Sequence, residues 1–229
     1  MLIHGLQKMT LLDFPEHVAC TVFLGGCDLR CPYCHNFELV DGTAEPVMDE
    51  EELFAFLKKR QGLLDGVAIT GGEPLLRPDL DSFIKKIREM GYLIKLDTNG
   101  CHPDALQKLF SQGLVDYVAM DIKNSPTRYS ITTGISDIKM ENIEKSISLI
   151  MNSGIDYEFR TTVVKEFHNE EDFHEIGKMI KGAKAYYLQQ FVERDTVPDG
   201  GLHSPSEEEM ALFLGIAKDY VPSAEIRGI

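Results

Sequence analysis

Short apolar, β-branched runs alternate with amphipathic stretches along most of this chain, and that alternation narrows the fold more than any other feature. Residues 18–24 (VACTVFL), 66–70 (GVAIT), 92–96, 115–122 (VDYVAMDI), 157–164 (YEFRTTVV) and 185–191 (AYYLQQF) read as strands. Helices are predicted from Asp49-Glu50-Glu51-Glu52 onward with Leu53, Phe54, Phe56 and Leu57, over 78–90 ended by Gly91, from Pro103, and over 140–151, 170–180 and 205–217. Residues 224–227 read as a short closing strand, and 1–17 as an irregular lead-in with a turn at Asp13-Phe14-Pro15. Six strand–helix units imply a mostly parallel sheet with helices outside it. Doubly wound and barrel arrangements both satisfy that pattern. Six units are too few for an eight-fold barrel, so the barrel candidate is a partial, open one. No low-complexity linker interrupts the chain, which is expected to form one domain over residues 1–229.

The remaining bulk properties exclude several classes. At 43% hydrophobic and 26% charged residues, the composition is that of an ordinary globular protein. No apolar run reaches membrane-spanning length, and Met1-Leu2-Ile3-His4-Gly5 lacks the basic and apolar regions of a signal peptide, so a cytoplasmic location is expected with no membrane partner. A net charge of −14 argues against general nucleic-acid binding, which rests on Lys and Arg neutralising phosphates. Simple solubility accounts for such a charge, and an acidic surface also suits a basic patch on a partner.

Every strand after the first ends in polar residues or glycine: Thr70-Gly71-Gly72-Glu73-Pro74, Asp97-Thr98-Asn99-Gly100, Asp121-Ile122-Lys123, Arg160-Thr161-Thr162 and Gln189-Gln190. In parallel α/β folds the C-terminal ends of strands face the ligand site. Each also has a structural explanation. Gly71-Gly72 is compatible with a plain turn, Asp97-Thr98-Asn99 with a helix cap, and Asp121 with Lys123 with an ion pair. Arg160 within a strand requires a carboxylate, from the protein or from a ligand.

The first strand instead runs through Gly25-Gly26 into Cys27-Asp28-Leu29-Arg30-Cys31-Pro32-Tyr33-Cys34. Three thiolates can hold three corners of a [4Fe–4S] cluster and leave the fourth iron open to a cofactor. Zinc sites use similar spacings but need four ligands as a rule, and His35, adjacent to Cys34, is badly placed to be the fourth. Cys20 and Cys101 read as small core residues. Five cysteines with three in one loop do not form a disulfide framework, and fit a reducing, oxygen-poor compartment.

The loop C-x3-C-x2-C with Tyr33 before its last cysteine, together with Gly71-Gly72-Glu73-Pro74, resembles the radical S-adenosylmethionine (SAM) superfamily over nearly the whole chain. Leu12-Asp13-Phe14-Pro15, Phe23-Leu24-Gly25-Gly26-Cys27, Cys34-His35-Asn36, Asp97-Thr98-Asn99-Gly100 and Asp121-Ile122-Lys123 are similar to the activating enzymes of glycyl radical enzymes. Leu188-Gln189-Gln190-Phe191 fits the group acting on anaerobic ribonucleoside-triphosphate reductase. The resemblance implies an α/β fold, a partial (β/α)6 barrel with mostly parallel strands. It implies that Cys27, Cys31 and Cys34 ligate the cluster while SAM chelates its fourth iron. Tyr33 would meet the adenine, and Gly71, Gly72 and Glu73 the methionine amino end. Asp97, Thr98, Asn99, Asp121, Lys123, Arg160 and Gln190 would complete the SAM site, and Asp97, Thr98 and Asp121 would also serve a monovalent cation.

One electron, from flavodoxin or ferredoxin, would cleave SAM to methionine and a 5′-deoxyadenosyl radical, which takes hydrogen from a glycine Cα of the partner. The pyruvate formate-lyase activators carry a proline and a histidine on the last strand where this chain has Gln190 and Val192, which favours the reductase partner. The competing readings are an activator of another glycyl radical enzyme, of pyruvate formate-lyase type, a small-molecule enzyme such as a 7-carboxy-7-deazaguanine synthase, and a zinc-held interaction domain.

Overall fold

The computed structural model describes residues 1–228. They form two compact units, one of Met1–Asp28, Glu38–Thr98 and His102–Val118, the other of Leu29–Phe37, Asn99–Cys101 and the chain from Ala119 onward.

In the first unit, β1 (Leu2–Ile3) leads into β2 (Gly5–Thr10), which pairs antiparallel with β3 (Ala19–Leu24). After the cysteine loop come α1 (Phe37–Asp41), β4 (Met48–Asp49) and α2 (Glu50–Lys58). β5 (Gly66–Gly71) follows and runs parallel to β3. A 3₁₀ turn (Pro74–Leu76), α3 (Leu80–Glu89), β6 (Leu93–Thr98) and α4 (Pro103–Ser111) complete the unit up to the start of β7 (Tyr117–Asp121). The strand order is β2-β3-β5-β6, with β6 parallel to β5. Cys20, Val22, Leu24, Val67, Ile69, Ile94 and Leu96 are fully buried, as interior parallel strands covered on both faces must be. Leu53 and Leu57 of α2 are buried completely as well, each contributing roughly 1.5–3 kcal/mol of apolar burial.

The second unit holds the end of β7, α5 (Tyr129–Thr133), α6 (Met140–Met151), β8 (Asp156–Val163), α7 (Glu170–Met179), β9 (Tyr186–Gln190), α8 (Glu207–Lys218) and β10 (Glu225–Arg227). Its strand order is β7-β8-β9-β10, with β8, β9 and β10 parallel. Three helices open on reciprocal capping boxes, Asp49 with Glu52, Asn169 with Asp172 and Ser206 with Glu209.

The six expected strands and the helices between them are all present, with ends displaced by one or two residues. Two helices begin later than their prolines imply: α3 starts at Leu80 rather than Pro78, and α8 at Glu207 because Ser206 is its N-cap. The lead-in is not irregular, since β1 and β2 lie within it. β2 is an edge strand whose middle residues Gln7, Lys8 and Met9 are exposed, so no buried alternation marks it. Three further short elements, α1, β4 and α5, have no counterpart in the sequence reading; at five residues or fewer, they are too brief to show a period. Among the described residues no helix is long and apolar enough to cross a membrane.

Candidate active site

In the first unit, the candidate residues are set by close backbone approach. Where β5 ends, the Gly72 amide donates to the Leu24 carbonyl at 2.8 Å and the Glu73 amide to the Gly26 carbonyl at 2.8 Å. Gly71 has φ +112°, and a Cβ on Gly72 would overlap the Gly26 carbonyl oxygen, so both positions demand glycine. Glu73, only 1% exposed, accepts from the Leu75 amide at 2.9 Å and from the Thr98 hydroxyl at 3.0 Å. Its buried carboxylate therefore caps the turn after β5 and ties it to the end of β6. Asp97 pairs with the buried Lys95 at 2.6 Å. Cys27 is partly exposed, with its Sγ 3.9 Å from Asp28 Oδ1. Asp28 Oδ2 lies 2.8 Å from His102 Nε2. That hydrogen bond lifts the His102 pKa above the ordinary histidine value, outweighing burial, with the Glu73 charge adding to it.

The second unit holds Cys31, Tyr33 and Cys34. Burial pushes the Cys31 thiol up to about 11, against the nearby Lys123 charge, and raises Cys34 as well. Tyr33 is buried with its ring 6.1 Å from Phe167 and edge-on to Phe191 at 6.4 Å. Its hydroxyl has no hydrogen-bond partner among the described residues. The loop is held through its backbone: the Arg30 amide donates to the Thr133 carbonyl at 2.8 Å, and the Asp199 amide to the Pro32 carbonyl at 3.2 Å. His35 stacks on Phe191, with centroids 5.5 Å apart, and its Nε2–H donates to the Val192 carbonyl at 2.6 Å.

Lys123 and Arg160 converge on one carboxylate. Asp121 accepts from Lys123 Nζ at 2.9 Å and Arg160 Nε at 2.8 Å. Burial alone would raise the Asp121 pKa, but the two cations outweigh it and hold the carboxyl well below its usual range. Burial likewise acts to lower Lys123, yet the Asp121 charge keeps it well above the usual lysine value. The carboxylate that Arg160 requires thus comes from the protein. Asn99 folds back to accept from the Cys101 amide at 2.9 Å, and the Gln190 amide donates to the Pro205 carbonyl at 2.8 Å.

The donor set fits an iron–sulfur cluster. Three thiols in one loop supply one sulfur ligand to each of three irons, and a cubane takes each thiolate on a different iron. Thiols that hold their protons in the metal-free chain release them to solvent when a metal coordinates the sulfur. The buried, unpartnered Tyr33 hydroxyl is what a polar cofactor beside the cluster would satisfy. Sequence reading passed over His102, Gly134 and the Phe191–His35 stack. Only Gly134 carried a signal, a glycine directly after Tyr129–Thr133 where a helix C-terminus takes φ +69°.

Comparison with known proteins bears on the family and the fold. The model of the radical SAM superfamily matches residues 21–180. A Methanocaldococcus jannaschii protein, named provisionally as a glycyl-radical enzyme activating enzyme, is 32% identical across 100% of this chain and 96% of its own length. The pyruvate formate-lyase-activating enzyme of Clostridium pasteurianum is 28% identical over 80% of this chain and 77% of its own. Among solved structures, Streptococcus suis SuiB bound to S-adenosylmethionine superposes with a TM-score of 0.69 over 91% of this chain and 52% of that one, at 13% identity. A domain of the pyruvate-formate lyase-activating enzyme of Bacteroides vulgatus gives 0.58 over 71% and 99%, at 22% identity. These likenesses show the fold: α/β, with the mostly parallel strands of the partial (β/α)6 barrel. With the family model spanning most of the chain and a relative matching it end to end, the chain belongs to the radical SAM superfamily of enzymes, among the glycyl-radical-enzyme activating enzymes.

Proposed function

We propose that this enzyme generates a glycyl radical on a partner protein, and that the partner is an anaerobic ribonucleoside-triphosphate reductase. The observation that carries the activase reading is the end-to-end match to the M. jannaschii protein, at 32% identity. The reductase is favoured by Gln190, the last residue of β9, and by Val192 two residues beyond it. A pyruvate formate-lyase-type target is the second reading, favoured by the C. pasteurianum relative. The family model crosses both compact units, which supports treating residues 1–229 as one functional domain.

Cys27, Cys31 and Cys34 would hold a [4Fe–4S] cluster, and SAM would occupy the rest of the site. When bound, that pair supplies one-electron cleavage of a sulfonium, fed by flavodoxin or ferredoxin. The chain's part is to bind, orient and keep water away. Tyr33, between Phe167 and Phe191, offers an aromatic wall and a hydroxyl donor for adenine. Gly71 and Gly72 would let backbone approach the cofactor's edge, and Glu73, fixed by Thr98 and the Leu75 amide, would face its amino end. Asp121, with Lys123 and Arg160 on it, forms a rigid charged group suited to a ribose and a carboxylate. Asp97, Asn99 and Gln190 complete the proposed set, and Asp97, Thr98 and Asp121 are the candidate monovalent cation ligands.

The test is anaerobic: the chain is reconstituted with iron and sulfide, reduced with dithionite and given SAM. 5′-Deoxyadenosine is then measured with and without the reductase, or with a pyruvate formate-lyase in its place. A glycyl radical signal on the reductase is the expected result. A signal only on the lyase moves the assignment to the second reading. Cleavage without a radical on either partner reopens the substrate, including small molecules.

A further inference from the structure

We propose that His102 is a positioning residue for the first cysteine of the cluster loop: its ring N–H holds the Asp28 carboxylate beside Cys27, and so sets the reduction potential of the cluster. The inference rests on the reading that Cys27 is a cluster ligand. Its geometry lies within one compact unit. One oxygen of Asp28 is 3.9 Å from Cys27 Sγ and the other is 2.8 Å from His102 Nε2.

In the metal-free thiol state, Cys27 can point its S–H at that carboxylate. Coordination removes the thiol proton and leaves two anions side by side, a sulfur and a carboxylate. Outer-sphere groups and hydrogen bonds near cluster sulfurs are established determinants of potential. A carboxylate near the sulfur opposes entry of an electron by simple Coulomb repulsion. His102 counters this in two ways. Its N–H fixes the far oxygen, so the near one keeps a defined distance from the sulfur. The positive end of that N–H dipole, 2.8 Å from the carboxylate, offsets the anion. His102 enters α4 as the residue before Pro103, with no side-chain bond to the helix end. The ring is therefore committed to Asp28 and not to capping.

The experiment compares full-length wild type with His102→Ala, His102→Gln, Asp28→Asn and the Asp28→Asn/His102→Ala double variant. Each is reconstituted anaerobically with iron and sulfide. Iron per chain is counted, and the cluster's midpoint potential is followed by absorbance and electron spin resonance during dithionite titration, without SAM. His102→Ala is expected to shift the potential to more negative values, and His102→Gln, which keeps an N–H donor, to restore most of it. Asp28→Asn is expected to shift it the other way and to abolish the effect of His102→Ala, because His102 acts through Asp28.

Equal potentials for wild type and His102→Ala overturn the proposal. So does the same shift in both Asp28 backgrounds, which a general packing role would give. If His102→Ala alone fails to hold a cluster, the two Asp28→Asn proteins decide, since the proposal requires them to load equally and share one potential. A wild-type chain that takes up no cluster overturns the ligand assignment itself. A loaded wild type with unresponsive variants overturns only this inference.

Discussion

Gly134 ends α5 with φ +69°, and a Cβ there would overlap the Arg30 carbonyl oxygen. The same helix end supplies the Thr133 carbonyl that accepts the Arg30 amide. A residue with no chemistry of its own therefore shapes the backbone between Cys27 and Cys31. Gly134→Ala must pay the left-handed backbone cost, about 1–2 kcal/mol, and also displace the loop. Gly113 is the matched control, with φ +63° and open space around its missing Cβ. Both substitutions are expected to lower the urea midpoint, but only Gly134→Ala to lower the iron bound per chain. Full iron on Gly134→Ala would mean that the loop tolerates the displacement. Cys31→Ala, by contrast, is expected to fold and to lose the cluster, read as iron per chain and the visible absorbance of the reconstituted protein. At this scale the cysteines and the glycine pair were legible, because their spacing is itself the chemistry. His102 was not, since its partner Asp28 lies far away in sequence and only the fold brings them together.

The helices announced themselves through their first turns. Ser206 accepts from the Glu209 amide at 3.1 Å while the Glu209 carboxylate takes the Ser206 amide at 2.7 Å. Those two bonds satisfy donors that the start of a helix leaves open. Ser206→Ala is expected to cost about 1 kcal/mol, seen as a lower urea midpoint with unchanged slope and no change in iron binding. A loss of iron would show that α8 does more than close the unit. Acidic residues at the starts of α2, α7 and α8 are visible in the sequence, and their burial patterns follow from spacing. β2 escaped notice because an edge strand needs no apolar face, and α5 because five residues cannot display a helical period. The missed elements are not incidental: α5 carries the carbonyl that holds the cysteine loop.

For the molecule as a whole, the alternation of strand and helix identified the class of fold, but not which buried groups resist protonation. His168 is one of these. Its Nε2–H donates to the Lys123 carbonyl at 3.0 Å, and its Nδ1 faces both the Val164 amide at 3.1 Å and the Val164 carbonyl at 3.2 Å. Burial holds its pKa below the ordinary histidine value, against the Lys123 and Val164 carbonyls, which favour the charged ring. The unfolded chain, with a histidine pKa of about 6.5, takes up this proton first. Stability is therefore unaffected by His168 above that pH, and declines as pH falls from about 6.5 toward the lower folded value. Asp121 acts in a separate window. Its folded pKa is depressed, so its contribution is complete above about pH 4 and is lost as pH falls further. Acid should thus weaken the metal-free protein in two stages. Urea midpoints measured from pH 8 to pH 3 are expected to fall first as pH drops below about 6.5, then again below about pH 4. His168→Gln, although less stable at neutral pH, should lack the first decline and keep the second. A first decline that survives in His168→Gln would assign it to another histidine, of which the chain has six more.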